Sequence, residues 1–497
     1  MESWDLSSML GVFINKVLKG IMQRSMLQIL KAIPFAAGML IVLIVQGEKT
    51  LLAQTCGASQ LLYVATTGSD SNPGTQSSPF LTISKGVALL NAGGTLYVMG
   101  GIYHETVAIY SSGTATSPIS ILAYPGQSPI IDGEGTLPTT INGALLELAG
   151  NYINVSGFEI RNTNTTLGTN AGVVVLGNHD RVSHLNVHHA YQAGILLSGD
   201  YGTIEYSTVW ENAYNNCRLA SCPTSPYPGG GWATGMSIEG KTANRTPIGG
   251  VMQNNVVYNN WGEGISTFQA SGTVIQDNIS YDNFATNFYI SDASNVLAQR
   301  NLGYTTPNNA VGNSSNRCIQ LADENAAFTP RSSNNAVINN MCWNSRFLPF
   351  SWTGVPNSGL VNDIIANNTV INSSFETGDA TTLPNPVTNS NTVIANNIVV
   401  NTGTIAIVPS STGLTFSNNL WSIAPPAVAM GTNSLVGDPL VVGAGSTSAG
   451  QLTTSYFKLS AGSPAANAGL NLTPTVTTDA FGQTRHATPT IGAYEFP

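Results

Sequence analysis

Short runs of alternating apolar and polar residues recur through the middle of the chain, and each begins with a polar pair that is often Asn-Asn. The β-branched residues in these runs predict strands, and no helical stripe of apolar residues is sustained between residues 170 and 425. A phrase that returns about every 22 residues, with occasional insertions, indicates a solenoid in which each repeat is one coil. The second residues of successive phrases are Asn255, Asn278, Asn301, Asn340, Asn368, Asn397 and Asn419.

A second recurring phrase follows the first and shows which side chains enter the core. Alternation along a strand places one set inside, namely Met236, Ile265, Phe288 and Ile319, and a second set outside, namely Ser237, Ser266, Tyr289 and Gln320. In a parallel stack, equivalent residues form ladders with a spacing of ~4.8 Å. The predicted aromatic ladder contains His188, Trp210, Tyr258, Tyr281, Tyr304 and Trp343. Because stacked rings and amides satisfy one another, we interpret these ladders as structural.

Segments at both ends of the chain carry a family resemblance. Residues 62–75, 79–83 and 94–103 resemble the capping segment of secreted proteins with a right-handed parallel β-helix in the pectate-lyase-like superfamily. Residues 437–439, 462–465 and 491–496 resemble the carboxy-terminal domain of bacterial β-helix surface proteins. The expected fold is therefore all-β: a right-handed parallel β-helix with an N-terminal cap and a small C-terminal β domain. The expected boundaries are 1–53 for a signal peptide, 54–125 for the cap and first coils, 126–425 for the β-helix, and 426–497 for the C-terminal domain.

The amino terminus has the pattern of a targeting segment. Basic residues precede an apolar run over 32–45, which is short for a spanning helix but suits a signal peptide. Cleavage before Gln54 predicts secretion, and a retained membrane anchor is the alternative.

Five cysteines in an exported chain allow two disulfides and leave one thiol. Cys217 and Cys222 bracket a short loop and are the best candidate pair. Cys318 and Cys342 would pair by count, but the register places them on different faces of successive coils, which disfavours that bond. No cysteine or histidine spacing is typical of zinc.

Composition narrows the function further. The 497 residues include 26 acidic and 17 basic ones, so the net charge is -9 and charged residues make up only 9%. No basic run is present to neutralise nucleic-acid phosphates, and a single apolar stretch excludes a polytopic membrane protein. We expect a monomer whose partner is a polysaccharide.

The few charges cluster around coils 235 to 324, on the outer face, which makes them candidates for a site. Two carboxylates on adjacent coils can separate their pKa values and serve as an acid and a base, although turn carboxylates that bind backbone amides are an alternative. Two tryptophans near this face suit stacking on sugars or capping of the core. The candidate catalytic residues are Asp292, Asp323, Glu324, Glu263, Tyr289 and Arg317, and the candidate substrate-binding residues are Glu239, Lys241, Trp232 and Trp261.

The resemblance to calcium-dependent pectate lyases implies an Asp-rich turn and a catalytic lysine. This chain has Trp261-Gly262-Glu263-Gly264 at the turn and Tyr289 at the lysine position. The cofactor therefore stays open: calcium is what the resemblance implies, but the acidic ligands that it needs are missing from the matching turn.

Three functions fit the sequence. A polysaccharide lyase would use Tyr289 as the acid or base and Arg317 to neutralise a uronate carboxylate during β-elimination. A glycoside hydrolase would use Asp292, Asp323 or Glu324. A non-catalytic adhesin or cell-surface spacer would use none of them. Because a fold alone does not fix a function, the outer-face residues must decide.

Overall fold

The computed structural model describes residues 60–139, 143–164, 170–217, 233–240, 246–309, 311, 317–324, 331–353, 358–378 and 387–497. Three parallel sheets form from strands that follow one another in turn along the chain, so that each coil contributes one strand to each sheet. This is the predicted right-handed parallel β-helix. Within the described residues no helix is long and apolar enough to cross a membrane. The predicted signal segment lies outside them.

Sheet 1 has thirteen strands, and each pairs in parallel with its equivalent in the next coil. They are β1 (Leu61–Val64), β2 (Thr95–Val98), β5 (Ile119–Ala123), β8 (Ile153–Ser156), β11 (Arg181–Ser183), β14 (Thr203–Glu205), β17 (Val251–Gln253), β20 (Val274–Gln276), β23 (Leu297–Gln299), β26 (Ala336–Ile338), β29 (Ile364–Ala366), β32 (Thr392–Ala395) and β35 (Leu414–Ser417).

Sheet 2 has eleven strands and carries the candidate site residues. They are β4 (Val107–Ile109), β7 (Ala144–Leu148), β10 (Ala171–Val175), β13 (Ile195–Leu197), β16 (Thr234–Glu239), β19 (Glu263–Phe268), β22 (Thr286–Ser291), β25 (Arg317–Asp323), β28 (Arg346–Thr353), β31 (Phe375–Glu376) and β34 (Ala406–Ile407). Within sheet 2, the strands β16, β19, β22, β25 and β28 are longer than the other strands. Loops of varied length join them to sheets 1 and 3.

Sheet 3 has thirteen strands. They are β3 (Gly101–Tyr103), β6 (Pro129–Asp132), β9 (Glu159–Arg161), β12 (Asn186–His188), β15 (Thr208–Trp210), β18 (Val256–Tyr258), β21 (Ile279–Tyr281), β24 (Leu302–Tyr304), β27 (Met341–Trp343), β30 (Thr369–Ile371), β33 (Ile398–Val400), β36 (Leu420–Trp421) and β37 (Leu435–Val436). Helices are short: α1 (Ile83–Val87), α2 (Ala427–Met430), and 3-10 turns at Tyr214–Asn216 and Thr454–Phe457.

The interior is apolar, as the alternation predicted. Met236, Ile265, Phe288 and Ile319 stack in register along sheet 2 and are all buried. Burial of such a continuous apolar column is the main stabilising contribution to the coil stack.

The asparagine ladder lies in the turn between sheet 1 and sheet 3. In a typical step, the backbone N–H and the side-chain amide of Asn278 both donate to Oδ1 of Asn301 at 3.1 and 3.0 Å. The same amide also donates to the Met252 carbonyl at 2.9 Å. Because each buried amide is satisfied by the next coil, the turn needs no water or charge.

The aromatic ladder lies on sheet 3. The rings of Trp210, Tyr258, Tyr281 and Tyr304 stack with centroid separations of 4.8 to 6.0 Å, and His188 precedes them. The C-terminal segment covers one end of this ladder, since the Gly450 N–H donates to the Tyr304 hydroxyl at 2.8 Å. This segment also contains two isolated antiparallel bridges, Val441 with Leu459 and Thr478 with Thr484.

One disulfide differs from expectation. Cys318 and Cys342 are bonded to each other, although they belong to adjacent sheets in successive coils. Both side chains point into the narrow interior, where residues from two sheets meet. The absence of a side chain at Gly303 provides the space for this disulfide, because a Cβ at Gly303 would lie 2.5 Å from the Cys318 Sγ. Cys217 is also disulfide-bonded, and its predicted partner Cys222 lies outside the described residues.

Candidate active site on sheet 2

Two rows of outward side chains cross sheet 2 at the predicted place. The first row pairs Thr286 with Arg317 and Arg317 with Arg346, and Glu263 begins β19 in the same row. The second row pairs Ser266 with Tyr289 and Tyr289 with Gln320. Parallel, in-register strands therefore bring side chains that are distant in sequence onto one face.

Tyr289 and Glu324 are in direct contact, because the tyrosine hydroxyl donates a hydrogen bond to the Glu324 Oε1. Tyr289 is only 6% exposed. Burial, followed by the nearby Glu324 and Glu263 carboxylates, raises the pKa of Tyr289 well above its usual value. The hydroxyl consequently keeps its proton near neutral pH and can act as a proton donor.

Glu263 lies in a group of three carboxylates. Burial raises the pKa of Glu263 well above its usual value, and the Glu324 and Glu239 carboxylates raise it further, while Arg317 opposes the shift. Glu239 accepts a hydrogen bond from the Ser237 hydroxyl at 3.2 Å. The raised pKa favours the protonated form of Glu263.

The guanidinium of Arg317 is largely buried, and no carboxylate of the described residues forms an ion pair with it. Its Nη1 donates to the Gln320 Oε1 at 2.9 Å, and its Nε has no partner among the described residues. Burial, followed by the neighbouring Arg346, lowers the pKa of Arg317. Arg346 differs, since its Nε donates to the Glu376 Oε1 at 2.8 Å. An uncompensated guanidinium at this position favours an anion as the occupant of the face.

Asp292 and Asp323, expected as catalytic carboxylates, lie in the turns at the end of their strands. Both are fully buried. Asp323 accepts backbone N–H bonds from Ser332 at 2.8 Å and from Gly359 at 3.1 Å, and Asp292 accepts the backbone N–H of Glu324 at 3.1 Å. These contacts correct the expectation: the two carboxylates hold turns, and Asp292 positions the backbone of Glu324.

Of the expected sugar-binding residues, the structure describes Glu239, in the carboxylate group above, and Trp261. Trp261 is 5% exposed and packs with Ala213, Tyr214 and Phe284 in a small hydrophobic cluster. This packing corrects its expected role, because a buried ring offers no face to a sugar. Trp232 and Lys241 lie outside the described residues.

Sequence reasoning missed Arg346 and Glu376. Continuing the coil register by one step beyond Arg317 would have found the arginine, since the two are direct neighbours. The glutamate was not apparent because its ion pair spans from β28 to β31.

The described residues do not fit calcium. The turn where the resemblance implies several acidic ligands offers one carboxylate, Glu263, because its glycines have no side-chain oxygen and Trp261 is packed in the cluster. No group of three His, Cys, Asp or Glu side chains suited to a metal is present in the described parts of the chain.

Comparison with known proteins agrees with the fold. Residues 62–301 match a family model described as the Pel9A-like right-handed β-helix region. This part of the chain is therefore similar to the Pel9A-like right-handed β-helix region. The pectate lyase PEL9 of Emericella nidulans is similar to this protein, with 31% identity over 150 residues, 28% of this chain and 36% of PEL9.

A second relative is the uncharacterized protein YwoF of Bacillus subtilis, which is 30% identical over 149 residues, 29% of this chain and 31% of YwoF. The chain thus matches about a third of the length of these curated relatives. The crystal structure of pectate lyase Pel9A superposes with a TM-score of 0.53 at 16% identity, covering 89% of this chain and 97% of Pel9A. At that identity the likeness concerns the fold alone.

Proposed function

We propose that the protein is a polysaccharide lyase that cleaves an acidic, uronate-containing polysaccharide by β-elimination. The observation that carries the proposal is the buried guanidinium of Arg317, which has no carboxylate partner among the described residues. A uronate carboxylate would supply the missing charge and accept the free Nε–H. Neutralising that carboxylate also acidifies the hydrogen on the carbon beside it, which is the hydrogen that β-elimination removes.

The pair formed by Tyr289 and Glu324 suits the proton transfers. In the proposed reaction the Glu324 carboxylate takes the proton beside the uronate carboxyl, and the electron pair of that C–H bond forms the new double bond. The adjacent bond to the glycosidic oxygen breaks, and Tyr289 gives its hydroxyl proton to the departing oxygen. The proton on Glu324 then returns to Tyr289 along their existing hydrogen bond, so the site is restored.

Glu263 has a supporting part in this reaction. Its raised pKa favours the protonated form, which neither forms an ion pair with Arg317 nor repels the substrate carboxylate.

A glycoside hydrolase is the second candidate, and the raised pKa of Glu263 favours it. A carboxylic acid that stays protonated can donate to a glycosidic oxygen, while Glu324 or Glu239 would act as the base or nucleophile. The two candidates differ in their products, because only the lyase creates a double bond.

The test is an incubation of the protein with polygalacturonate, alginate and other acidic polysaccharides, read for both ultraviolet-absorbing products and reducing ends. We expect both signals, and we expect Arg317→Gln to lower kcat/KM by about a hundredfold or more. Arg300→Gln is the matched control: Arg300 is paired with Asp277 in a turn away from sheet 2, so its loss should leave activity unchanged.

Glu263→Gln separates the two candidates, since glutamine is neutral like the protonated acid but cannot donate an acidic proton. The lyase should keep most of its activity, whereas a hydrolase should lose about 10²-fold or more. Reducing ends without ultraviolet absorbance would refute the lyase. If neither product forms, the remaining function is that of a non-catalytic adhesin or spacer.

We further propose that the protein acts outside the cell or at its surface, as a monomer whose partner is the polysaccharide. The support is the signal-like pattern of residues 1–53. Finding the chain only in the cytoplasmic fraction of its cell would contradict this proposal.

A further inference from the structure

A second group of residues that the proposed reaction does not use lies where sheet 2 turns into sheet 1. At one position of this turn the coils from β8 to β32 adopt a left-handed backbone conformation with positive φ, which favours Gly and Asn. Six successive coils follow that preference, with Gly249, Gly272, Asn295, Asn334, Asn362 and Asn391. Three earlier coils instead place aromatic residues there: Tyr152, His179 and Tyr201, with φ of 55°, 59° and 56°. Backbone strain at three bulky residues in successive coils points to a use other than folding.

The three aromatic residues form one surface, named here the Tyr201 platform. The Tyr152 and His179 rings stack at 4.7 Å and 4°, and the His179 and Tyr201 rings at 5.0 Å and 12°. Tyr201 is 50% exposed. The platform lines an open cavity of about 280 Å³ together with Asn151, Asn178 and Asp200, close to the ~300 Å³ at which small-molecule sites begin.

The polar side chains beside the platform leave groups available to a ligand. Asn178 uses its Oδ1 to accept the Asp200 N–H at 2.9 Å, and Asp200 uses its Oδ1 to accept the Ile248 N–H at 3.1 Å. Among the described residues, the Asn178 amide nitrogen and the second Asp200 oxygen have no hydrogen-bond partner. A donor and an acceptor thus stand side by side along the ring edges.

We propose that the Tyr201 platform binds a neutral sugar unit, as a carbohydrate-binding site separate from the sheet 2 face. Sugar hydroxyls both donate and accept hydrogen bonds, which matches the amide of Asn178 and the carboxylate of Asp200. The apolar parts of a pyranose pack against tyrosine rings, whose hydroxyls add further partners. Because Asp200 lines the cavity and the lining residues include neither lysine nor arginine, a uronate is disfavoured there. The Tyr201 platform would bind neutral sugar residues of a polysaccharide. This proposal does not depend on whether the sheet 2 face cleaves the polysaccharide.

The test is affinity electrophoresis of the full chain through gels that contain galactan, xylan or polygalacturonate. We expect at least one neutral polymer to retard the protein, and Tyr201→Asn to weaken that binding about five- to tenfold. Asparagine suits the left-handed backbone, so the unfolding temperature should stay equal or rise. Asp200→Asn is a second variant, because it keeps the Oδ1 acceptor and changes only the free oxygen; it should also weaken binding.

Tyr206→Asn is the matched control. Tyr206 is 51% exposed, has a φ of 50° and stacks on His184 at 5.3 Å, but it lies in a different turn and does not line the cavity. Equal loss of binding in this variant would overturn the proposal, as would a wild-type protein that no neutral polymer retards. A lower unfolding temperature for Tyr201→Asn with unchanged binding would show a structural role and would also overturn it. Binding should persist in Arg317→Gln, which separates this site from the proposed lyase.

Discussion

Asp180 and Asn335 occupy the same place in two coils, just before a strand of sheet 1, but only one of them is fully satisfied. Each accepts a backbone N–H from the preceding coil, from Ile153 at 2.8 Å and from Val296 at 2.9 Å. The Asn335 amide also donates to the Ala293 carbonyl at 3.2 Å. In Asp180 the corresponding Oδ2 is buried without a partner among the described residues. Burial raises the pKa of Asp180 to about 7.

At the residue scale we expect Asp180→Asn to stabilise the protein at alkaline pH. The Gly150 carbonyl and the Asp180 Oδ2 both lie against Gly177, so an amide there can donate as Asn335 does. Since the folded-state pKa is raised, the wild type loses stability as pH rises from about 4 to about 7, where the unfolded state has released its proton but the folded state has not. The variant should gain about 1–3 kcal/mol in urea unfolding at about pH 8 and much less at about pH 4.

Asn335→Asp is the reverse exchange and should introduce the same pH dependence in another coil. An equal gain from Asp180→Asn at both pH values would contradict the explanation, because a neutral acid and an amide would then differ for some other reason.

At the scale of the elements, the buried asparagine ladder sets the turns between sheets 1 and 3. Asn301 donates from its side chain to the Ile275 carbonyl at 2.8 Å and to the Asn340 Oδ1 at 3.0 Å, with no exposure to solvent. A carboxylate of the same shape would face two acceptors and bury a charge.

We therefore expect Asn301→Asp to lower the free energy of unfolding by about 3 kcal/mol or more at neutral pH, measured in urea. The control is Asn372→Asp. Asn372 also donates from its side-chain amide to another asparagine, the Asn344 Oδ1, at 3.0 Å, but at an exposed position. Its loss should cost less than about 1 kcal/mol, and similar losses in both variants would argue against burial as the cause.

The solenoid could be predicted from the sequence because successive coils repeat the same pattern, with apolar residues inside and an asparagine at the turn. The repeat period alone is enough to place Asn278 in the asparagine ladder and Phe288 in the apolar interior. The period does not place Asp292 and Asp323. A carboxylate at the end of a strand can face either the outer surface or the amides of the turn, and the geometry of the loop determines which of the two it faces. The bond between Cys318 and Cys342 was missed for a related reason, since a face assignment ignores how closely two sheets approach inside a coil.

At the scale of the whole molecule, the C-terminal segment is joined to the solenoid by buried polar contacts. The Arg485 guanidinium donates to the Asn339 Oδ1 at 2.6 Å and to the Glu495 carboxylate at 3.1 Å. Asn367 donates to the Gly492 carbonyl at 3.3 Å. One arginine thus connects the outer segment, its own glutamate and a turn of the coil stack.

We expect Arg485→Met to detach this segment before the solenoid unfolds. Removal of the guanidinium leaves the buried Glu495 with only the Thr490 N–H and the exposed His486 ring as partners among the described residues, at a cost of about 3–5 kcal/mol. Limited proteolysis should then release a C-terminal fragment under conditions where the wild type stays intact. Arg300→Met, which breaks a more exposed ion pair, should leave the digestion pattern unchanged. A fragment appearing in both variants, or in neither, would contradict the role assigned to Arg485.

The asparagine ladder also has a direction. In each step the earlier coil donates and the later coil accepts, from Asn255 to Asn278 and onward to Asn419, whose own N–H donates to the Ser434 hydroxyl at 3.1 Å. Because all of these hydrogen bonds run in the same direction, every internal coil of the ladder makes the same asparagine contacts with its two neighbours, and only the first and last coils differ. The number of coils is therefore a variable that evolution can change by whole repeats, while the sheet 2 face and the C-terminal segment keep their own partners.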